Sequence, residues 1–178
     1  IENNLITDKE VQLEKLMKCL NDNIITFKRN DINKFQICVN NEFIESKIRT
    51  TIISNNVSTV ATIKEIRDYV LKLQREIAIN KSIVMDGRDI GSVVFPNAEY
   101  KFYLYASLKN RSKRRWKELK DDEKNLTVTT VESDLENRDI IDSEREHSPL
   151  IIPENAIVIN SDDLSINQVF KKILHFIK

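Results

Sequence analysis

The period of the apolar residues changes along this chain, and each change marks an element. Val11, Leu13, Leu16, Met17 and Leu20 leave one polar face and predict a helix over 7–21. Runs at 24–28 and 35–39 predict a hairpin. Phe35, Ile37 and Val39 alternate with polar residues, and Asn30-Asp31 supplies turn chemistry between the runs. Asn40-Asn41 predicts a second turn before a short strand at Phe43 and Ile44, and the mixed stretch 48–61 reads as helix. A stronger helix follows, with Ile63, Ile66, Val70, Leu73 and Ile77 along one stripe. The runs 82–85, 102–104 and 157–159 are short, apolar and non-alternating, as buried strands of a parallel sheet are. Helices are predicted between and after them at 107–120, 130–146 and 165–178. The last opens with a capping box, Ser165-x-x-Gln168. Strand and helix alternate through the C-terminal half, which argues for an α/β protein.

Composition narrows the picture. A chain of 178 residues, 40% hydrophobic and 31% charged, suits one globular domain with a proper core. Its 28 basic and 28 acidic side chains cancel, so any electrostatic argument must rest on local clusters. Cys19 and Cys38 have neither the Cys-x-x-Cys nor the Cys/His spacing of a metal site and read as free thiols. No apolar run approaches the ~18 residues of a membrane span, and no signal-peptide pattern opens the chain. The expected location is the cytoplasm.

Three constellations could carry chemistry. Both glycines, Gly87 and Gly91, fall in Asp86-Gly87-Arg88-Asp89-Ile90-Gly91, directly after the apolar run 82–85. Glycine tolerates positive φ and close approach to a ligand, so a tight functional turn is expected there. Ligands of open α/β sheets bind beyond the carboxyl ends of strands, which is where these charges fall. A turn closed by a local Asp–Arg pair fits the same residues. The second constellation follows a capping box at Thr129-x-x-Glu132: Arg138, Asp142 and Arg145 share one helix face. Two guanidiniums flanking a carboxylate suit a sugar phosphate, with the arginines on phosphate oxygens and the acid on a ribose hydroxyl. A solvated face of i,i+4 pairs would look alike. The third is a cationic run, Lys109, Arg111, Lys113, Arg114, Arg115 and Lys117, whose only aromatic is Trp116. A polyphosphate-facing helix fits it as well as a nucleic-acid surface does.

Taken in order, these features resemble the signature of bacterial cytidylate kinases. The resemblance is carried by the segment from Asp86 through Ser92, Val93, Val94, Phe95 and Pro96. Further matches are Ile48-Arg49-Thr50, Arg138-x-x-x-Asp142-x-x-Arg145, Ser148-Pro149-Leu150, Asn160-Ser161 and Leu164-Ser165. It runs from about Val39 to the C-terminus, with looser agreement before that. The resemblance implies a P-loop-kinase-like, three-layer α/β domain over 1–178 with a parallel sheet, five-stranded in the family. It also implies a monophosphate-binding insert over 24–80 holding a small antiparallel hairpin, and a helical basic lid over 113–128. The implied reaction moves the γ-phosphoryl group of ATP to CMP or dCMP, with Mg2+.

By the same resemblance, Ser58, Arg67 and Asp89 read the cytosine ring, and Asp142 contacts the ribose. Arg88, Arg138 and Arg145 surround the phosphates, Arg114 and Arg115 meet ATP, and Asp86 holds magnesium-bound water. The expected partners are CMP or dCMP and ATP, bound by a monomer, with neither membrane nor nucleic acid involved. The family opens with a strand, a Gly-rich loop carrying a lysine, and an Asp-Ser-Gly-Ala-x-Tyr-Arg segment, and none of these occurs in the 178 residues. The sequence starts at Ile1 and is read as lacking that strand and phosphate loop, so residues 1–178 by themselves are expected to bind ATP poorly and catalyse little. Two other readings share the residues: a non-catalytic nucleotide-binding remnant, and a small nucleic-acid-binding protein using the 109–117 cations.

Overall fold

Asparagines make the reversals of the N-terminal part. In the computed structural model, which describes residues 5–7, 10–121 and 125–177, the chain forms two compact units, Ile1–Val70 and Leu71–Lys178.

The first unit opens with a two-stranded hairpin, β1 (Ile6–Thr7) and β2 (Glu10–Val11), where a helix over 7–21 was expected. Helix α1 starts only at Leu13 (Leu13–Asp22), because Gln12, at ψ 78°, is not helical and Val11 is committed to the hairpin. Residues 8 and 9 of the expected helix lie outside the described residues. The expected hairpin is present as β3 (Ile25–Arg29) and β4 (Phe35–Val39), in antiparallel register from Ile25↔Val39 to Arg29↔Phe35. Asn30 Oδ1 accepts the Ile32 and Lys34 amides, and Asn33 takes φ 60°, closing its turn. Asn40 and Asn41, at φ 49° and 72°, form the two-residue reversal into β5 (Glu42–Phe43), as type I′ turns require. Ile44 leaves that strand and starts a short helix, α2 (Glu45–Ile48).

The expected helix over 48–61 is therefore broken. Arg49 and Thr50 separate α2 from α3 (Thr51–Val60), and the Thr50 hydroxyl caps α3 by accepting the Ile53 amide at 3.3 Å. Helix α4 (Lys64–Ala78) follows as predicted, with Ile66 buried, and the division between the units falls within it.

The second unit differs from expectation most at 82–85, which is not a strand. Ser82, Ile83 and Val84 are exposed, and Val84 entirely so. A strand needs a neighbour to take its backbone groups, and no described residue pairs with this segment. Residues Ile90–Val94 form one turn of π-helix, which nothing in the sequence pattern foretold. The parallel pairing lies between β6 (Phe102–Tyr105) and β7 (Ile157–Asn160), in register Phe102↔Ile157 to Tyr105↔Asn160. Among the described residues this sheet has two strands, corresponding to the expected runs 102–104 and 157–159, while the third expected run, 82–85, does not join them.

Helix α5 (Leu108–Leu119) packs beside α6 (Val128–Glu144), and Arg111 pairs with Asp139 between them at 2.6 Å. Thr127, not Thr129, caps α6, accepting the Thr130 amide at 3.1 Å. The expected box at Thr129 and Glu132 thus sits inside the helix. Of the expected lid, 113–119 belongs to α5 and residues 122–124 lie outside the described residues. The last helix, α7 (Ile166–Phe176), carries the complete Ser165/Gln168 capping box, and residue 178 lies outside the description. Val94, Ala106, Val131 and Ile159 make the buried apolar centre of this unit.

Candidate functional site

A carboxylate can be buried only if cations and donors meet it. Asp142 is 3% exposed, and three arginines from three different places surround it. Arg138 stands one turn earlier on α6, with Nε 3.7 Å from Asp142 Oδ2. Arg88 reaches in from the 86–89 turn and donates through Nε to the same oxygen at 3.1 Å. Arg145 has left the helix: it is the C-cap, at ψ 141°, and its side chain folds back to put Nη1 3.5 Å from Asp142 Oδ1.

The segment after α6 fixes this return. Ser148, at φ 53°, offers its carbonyl to Arg145 Nε at 2.7 Å, and the Leu150 amide donates to the Asp142 carbonyl at 2.7 Å. The Ser148-Pro149-Leu150 motif is thus the clasp that closes the end of α6. The expected helix face is real at Arg138 and Asp142, while Arg145 joins it by way of the cap.

Three guanidiniums against one carboxylate leave a net charge of two positives in a partly buried site. Burial, and then the neighbouring Arg88, push the Arg138 guanidinium below its usual value, with Asp142 opposing both. Such an arrangement favours an added anion, and planar forks of this kind match phosphate oxygens.

The 86–89 turn borders the cluster. Asp86 is exposed, and Asp89 is half-buried as the N-cap of the π-helix, its carbonyl accepting the Val93 amide at 2.8 Å and the Val94 amide at 3.2 Å. Neither glycine of the turn has positive φ, contrary to expectation. What they supply is space. A Cβ on Gly87 would stand 2.8 Å from Ile90 Cγ1, and one on Gly91 would stand 3.0 Å from the Pro153 ring.

Ser58 and Arg67 belong to the first unit. Ser58, on α3, is 6% exposed, and its hydroxyl has no hydrogen-bond partner among the described residues. A buried hydroxyl in that state is unusual and has capacity for a ligand. Arg67, on α4, donates through Nη1 to the Ala61 carbonyl at 3.2 Å.

The cationic run on α5 is more engaged than its sequence implies. Arg111 pairs with Asp139, Arg115 with Glu118 at 3.0 Å, and Arg114 donates to the Ser161 hydroxyl and carbonyl and to the Asp162 carbonyl. A polyanion surface therefore loses half of its cations to internal partners. Sequence reasoning missed the anchor of this arrangement, Asp162. Its Oδ1 accepts the Ser107 backbone amide and hydroxyl, each at 2.8 Å, and Nδ2 of the Asn110 side chain at 2.7 Å. Asn110 foremost, then Ser107, hold its carboxyl below the ordinary aspartate value. Its place directly after Asn160-Ser161 was the available signal.

Fold and site together define an α/β protein in which three arginines gather on one buried carboxylate next to a glycine-spaced turn. The chain belongs to the cytidylate kinase family, whose model matches residues 6–178. It is 44% identical to a cytidylate kinase of Caldanaerobacter subterraneus subsp. tengcongensis over 137 residues, 77% of this chain and 61% of that protein. The Clostridioides difficile cytidylate kinase is also 44% identical, over 75% of this chain and 62% of its own length. The Fusobacterium nucleatum cytidylate kinase is 38% identical over 97% of this chain and 76% of its own length. Against the first two, the chain spans about three-fifths of the relatives' length. Among the described residues no helix is long and apolar enough to cross a membrane, and no three potential ligand side chains form a metal cluster.

Proposed function

We propose that this chain serves the transfer of the ATP γ-phosphoryl group to CMP or dCMP, as a cytoplasmic nucleoside monophosphate kinase. The observation that carries the reading is the convergence of Arg88, Arg138 and Arg145 on the buried Asp142. A nucleoside monophosphate brings a dianion that the three cations can share, and the ribose next to it brings hydroxyls that Asp142 can accept. Phosphoryl transfer needs little covalent chemistry from the protein. It needs the reacting groups held in line and the migrating charge neutralised, which fixed guanidiniums do without reorganising.

Asp89, with Ser58 and Arg67, reads the base. A carboxylate accepts from the exocyclic amine of cytosine and would face the carbonyl oxygen of uracil. Arg114 and Arg115 serve ATP from the lid at 113–128, and the insert at 24–80 serves the monophosphate. Mg2+ characteristically takes one or two carboxylates and completes its shell with phosphate oxygens and water. The exposed Asp86 fits that need through a bridging water, and a ligand cluster is not required. When bound with ATP, the ion supplies charge neutralisation at the β- and γ-phosphates.

The test is a coupled assay with ATP, Mg2+ and CMP, dCMP or UMP on the natural full-length gene product, beside calorimetric titration of the same nucleotides. Turnover of CMP or dCMP well above UMP supports the reading. Tight CMP binding without turnover would instead make the protein a nucleotide-binding remnant. Residues 1–178 assayed alone should turn over slowly, because no Gly-x-x-x-x-Gly-Lys loop occurs in them to cradle the β- and γ-phosphates.

A further inference from the structure

Arg75, on α4, forms no ion pair among the described residues, and two of its five N–H donors are spent on backbone carbonyls. Nε donates to the Val94 carbonyl at 3.1 Å, and Nη2 donates to the Val93 carbonyl at 3.0 Å. Those carbonyls are the last two of the π-helix, where a helix has no partners of its own for them. The fork therefore completes the far end of that element and places a cation where the backbone dipoles leave negative charge.

The near end of the same element is Asp89. Its carbonyl begins the π-helix by accepting the Val93 and Val94 amides, and the Phe95 amide closes on the Ile90 carbonyl at 2.7 Å. The carbonyls that Arg75 holds lie only four and five positions beyond the base-reading acid. A single π-turn is a strained and uncommon conformation that persists only when its surroundings fix it. Here Val94 is 2% exposed, Gly91 lies against Pro153 and Lys101, and Arg75 grips the end. If the grip loosens, the turn can relax toward an α-turn. That rotates residues 89–94 and carries the Asp89 side chain with them.

We propose that Arg75 is a positioning residue for nucleobase specificity, acting through the π-helix to set where the Asp89 carboxylate stands. This rests on the base-reading role of Asp89. It adds a residue outside the ligand site that the discrimination depends on. Lysine at this position keeps the charge but can hold only one of the two carbonyls in the fork's geometry.

The test is calorimetric titration of CMP and UMP into the protein and into Arg75→Lys, Asp89→Ala and the double variant. Arg75→Lys should lower the CMP-to-UMP affinity ratio by about fivefold, the scale of one misplaced hydrogen bond. Affinity for inorganic phosphate should be unchanged. In the Asp89→Ala background the same substitution should change the ratio no further, since the group it positions is gone. Gly91→Ala presses the same turn from the Pro153 side and should also lower the ratio, which covers the case of an Arg75 variant that does not fold. A purely structural role would lower the unfolding midpoint and leave the ratio intact, and that result in the folded Arg75→Lys protein overturns the proposal. So does an unchanged ratio in a folded Gly91→Ala. If Asp89→Ala itself left the ratio unchanged, the base-reading role would fall, and the Arg75 proposal with it.

Discussion

Replacing Asp142 by asparagine keeps the shape of the side chain and removes the charge on which three arginines converge. Each pair, at 3.1 to 3.7 Å, represents a gross attraction of roughly 5 kcal/mol at an effective dielectric constant of about 20. The net loss is smaller, because burying the carboxylate costs desolvation energy and the cations repel one another. Arg88 and Arg138 are each about one-third exposed and can turn their charge to water, so each should contribute only about 0–1 kcal/mol. Arg145 cannot, since its side chain is 3% exposed. Leaving one member of a buried pair unpaired costs about 3–5 kcal/mol, so Asp142→Asn should lose about 3 kcal/mol of unfolding free energy. Urea denaturation at neutral pH measures it. Two further readouts give the change a signature. Inorganic phosphate should stabilise the variant more than the parent, because an anion replaces the missing charge and binding to the native state adds to stability. Cytidine should bind the variant more weakly, because an amide oxygen accepts a ribose hydroxyl less strongly than a carboxylate does. A loss below about 1 kcal/mol, with phosphate acting equally on both proteins, would mean that the pairs are an ordinary solvated helix face.

Two other outcomes are expected. Arg138→Ala should weaken CMP by about 1.5–3 kcal/mol, as for a hydrogen bond to a charged group, and leave cytidine nearly untouched; an equal effect on both in calorimetry would remove Arg138 from the phosphate site. Because the Asp162 carboxyl lies below its ordinary value in the folded protein, its clamp contributes stability above the unfolded-state pKa and loses it as pH falls through the folded one; urea midpoints across the acid range should fall less steeply in Asp162→Asn than in the parent, and parallel curves would contradict the assignment.

The elements legible in the sequence were those whose cause is local. The 24–39 hairpin carried both its alternation and its asparagine turn, and the α7 capping box was complete in four residues. The stripe of α4 and the pairing of Arg138 with Asp142 follow from helix geometry alone. What failed depended on partners elsewhere. Residues 82–85 have the composition of a buried strand, but strand structure requires a neighbour, and none of the described residues provides one. The π-turn at Ile90–Val94 has no hydrophobic period to announce it, and its fixing contacts come from Arg75 and Pro153. At the start of α6, Thr127 and Thr129 are equal capping candidates by type, and a glutamate three residues on favoured the wrong one. Arg88 could be assigned to the site by resemblance. That it shares one carboxylate oxygen with Arg138 became visible only in three dimensions.

The division of labour between glycine and asparagine follows from the same distinction. Positive φ is where glycine is ordinarily placed, yet the described positions with positive φ are Asn33, Asn40, Asn41, Asn80, Asn155 and Ser148. Asparagine tolerates that region at modest cost and adds a hydrogen-bonding side chain, as when Asn40 Oδ1 accepts the Ile24 amide across the hairpin. The chain can therefore reverse direction without glycine. What asparagine cannot do is vacate the space of a Cβ. Gly87 and Gly91 stand where a Cβ would meet Ile90 and Pro153 within about 3 Å, on either side of the residue that begins the π-turn. An alanine at either position would have to push against that turn or its support, and the turn carries Arg88 and Asp89. Glycine thus stands at the two positions where close packing bears on the turn that carries Arg88 and Asp89. Its confinement to this segment marks the site through packing, a different physical reason from the backbone freedom that first suggests it.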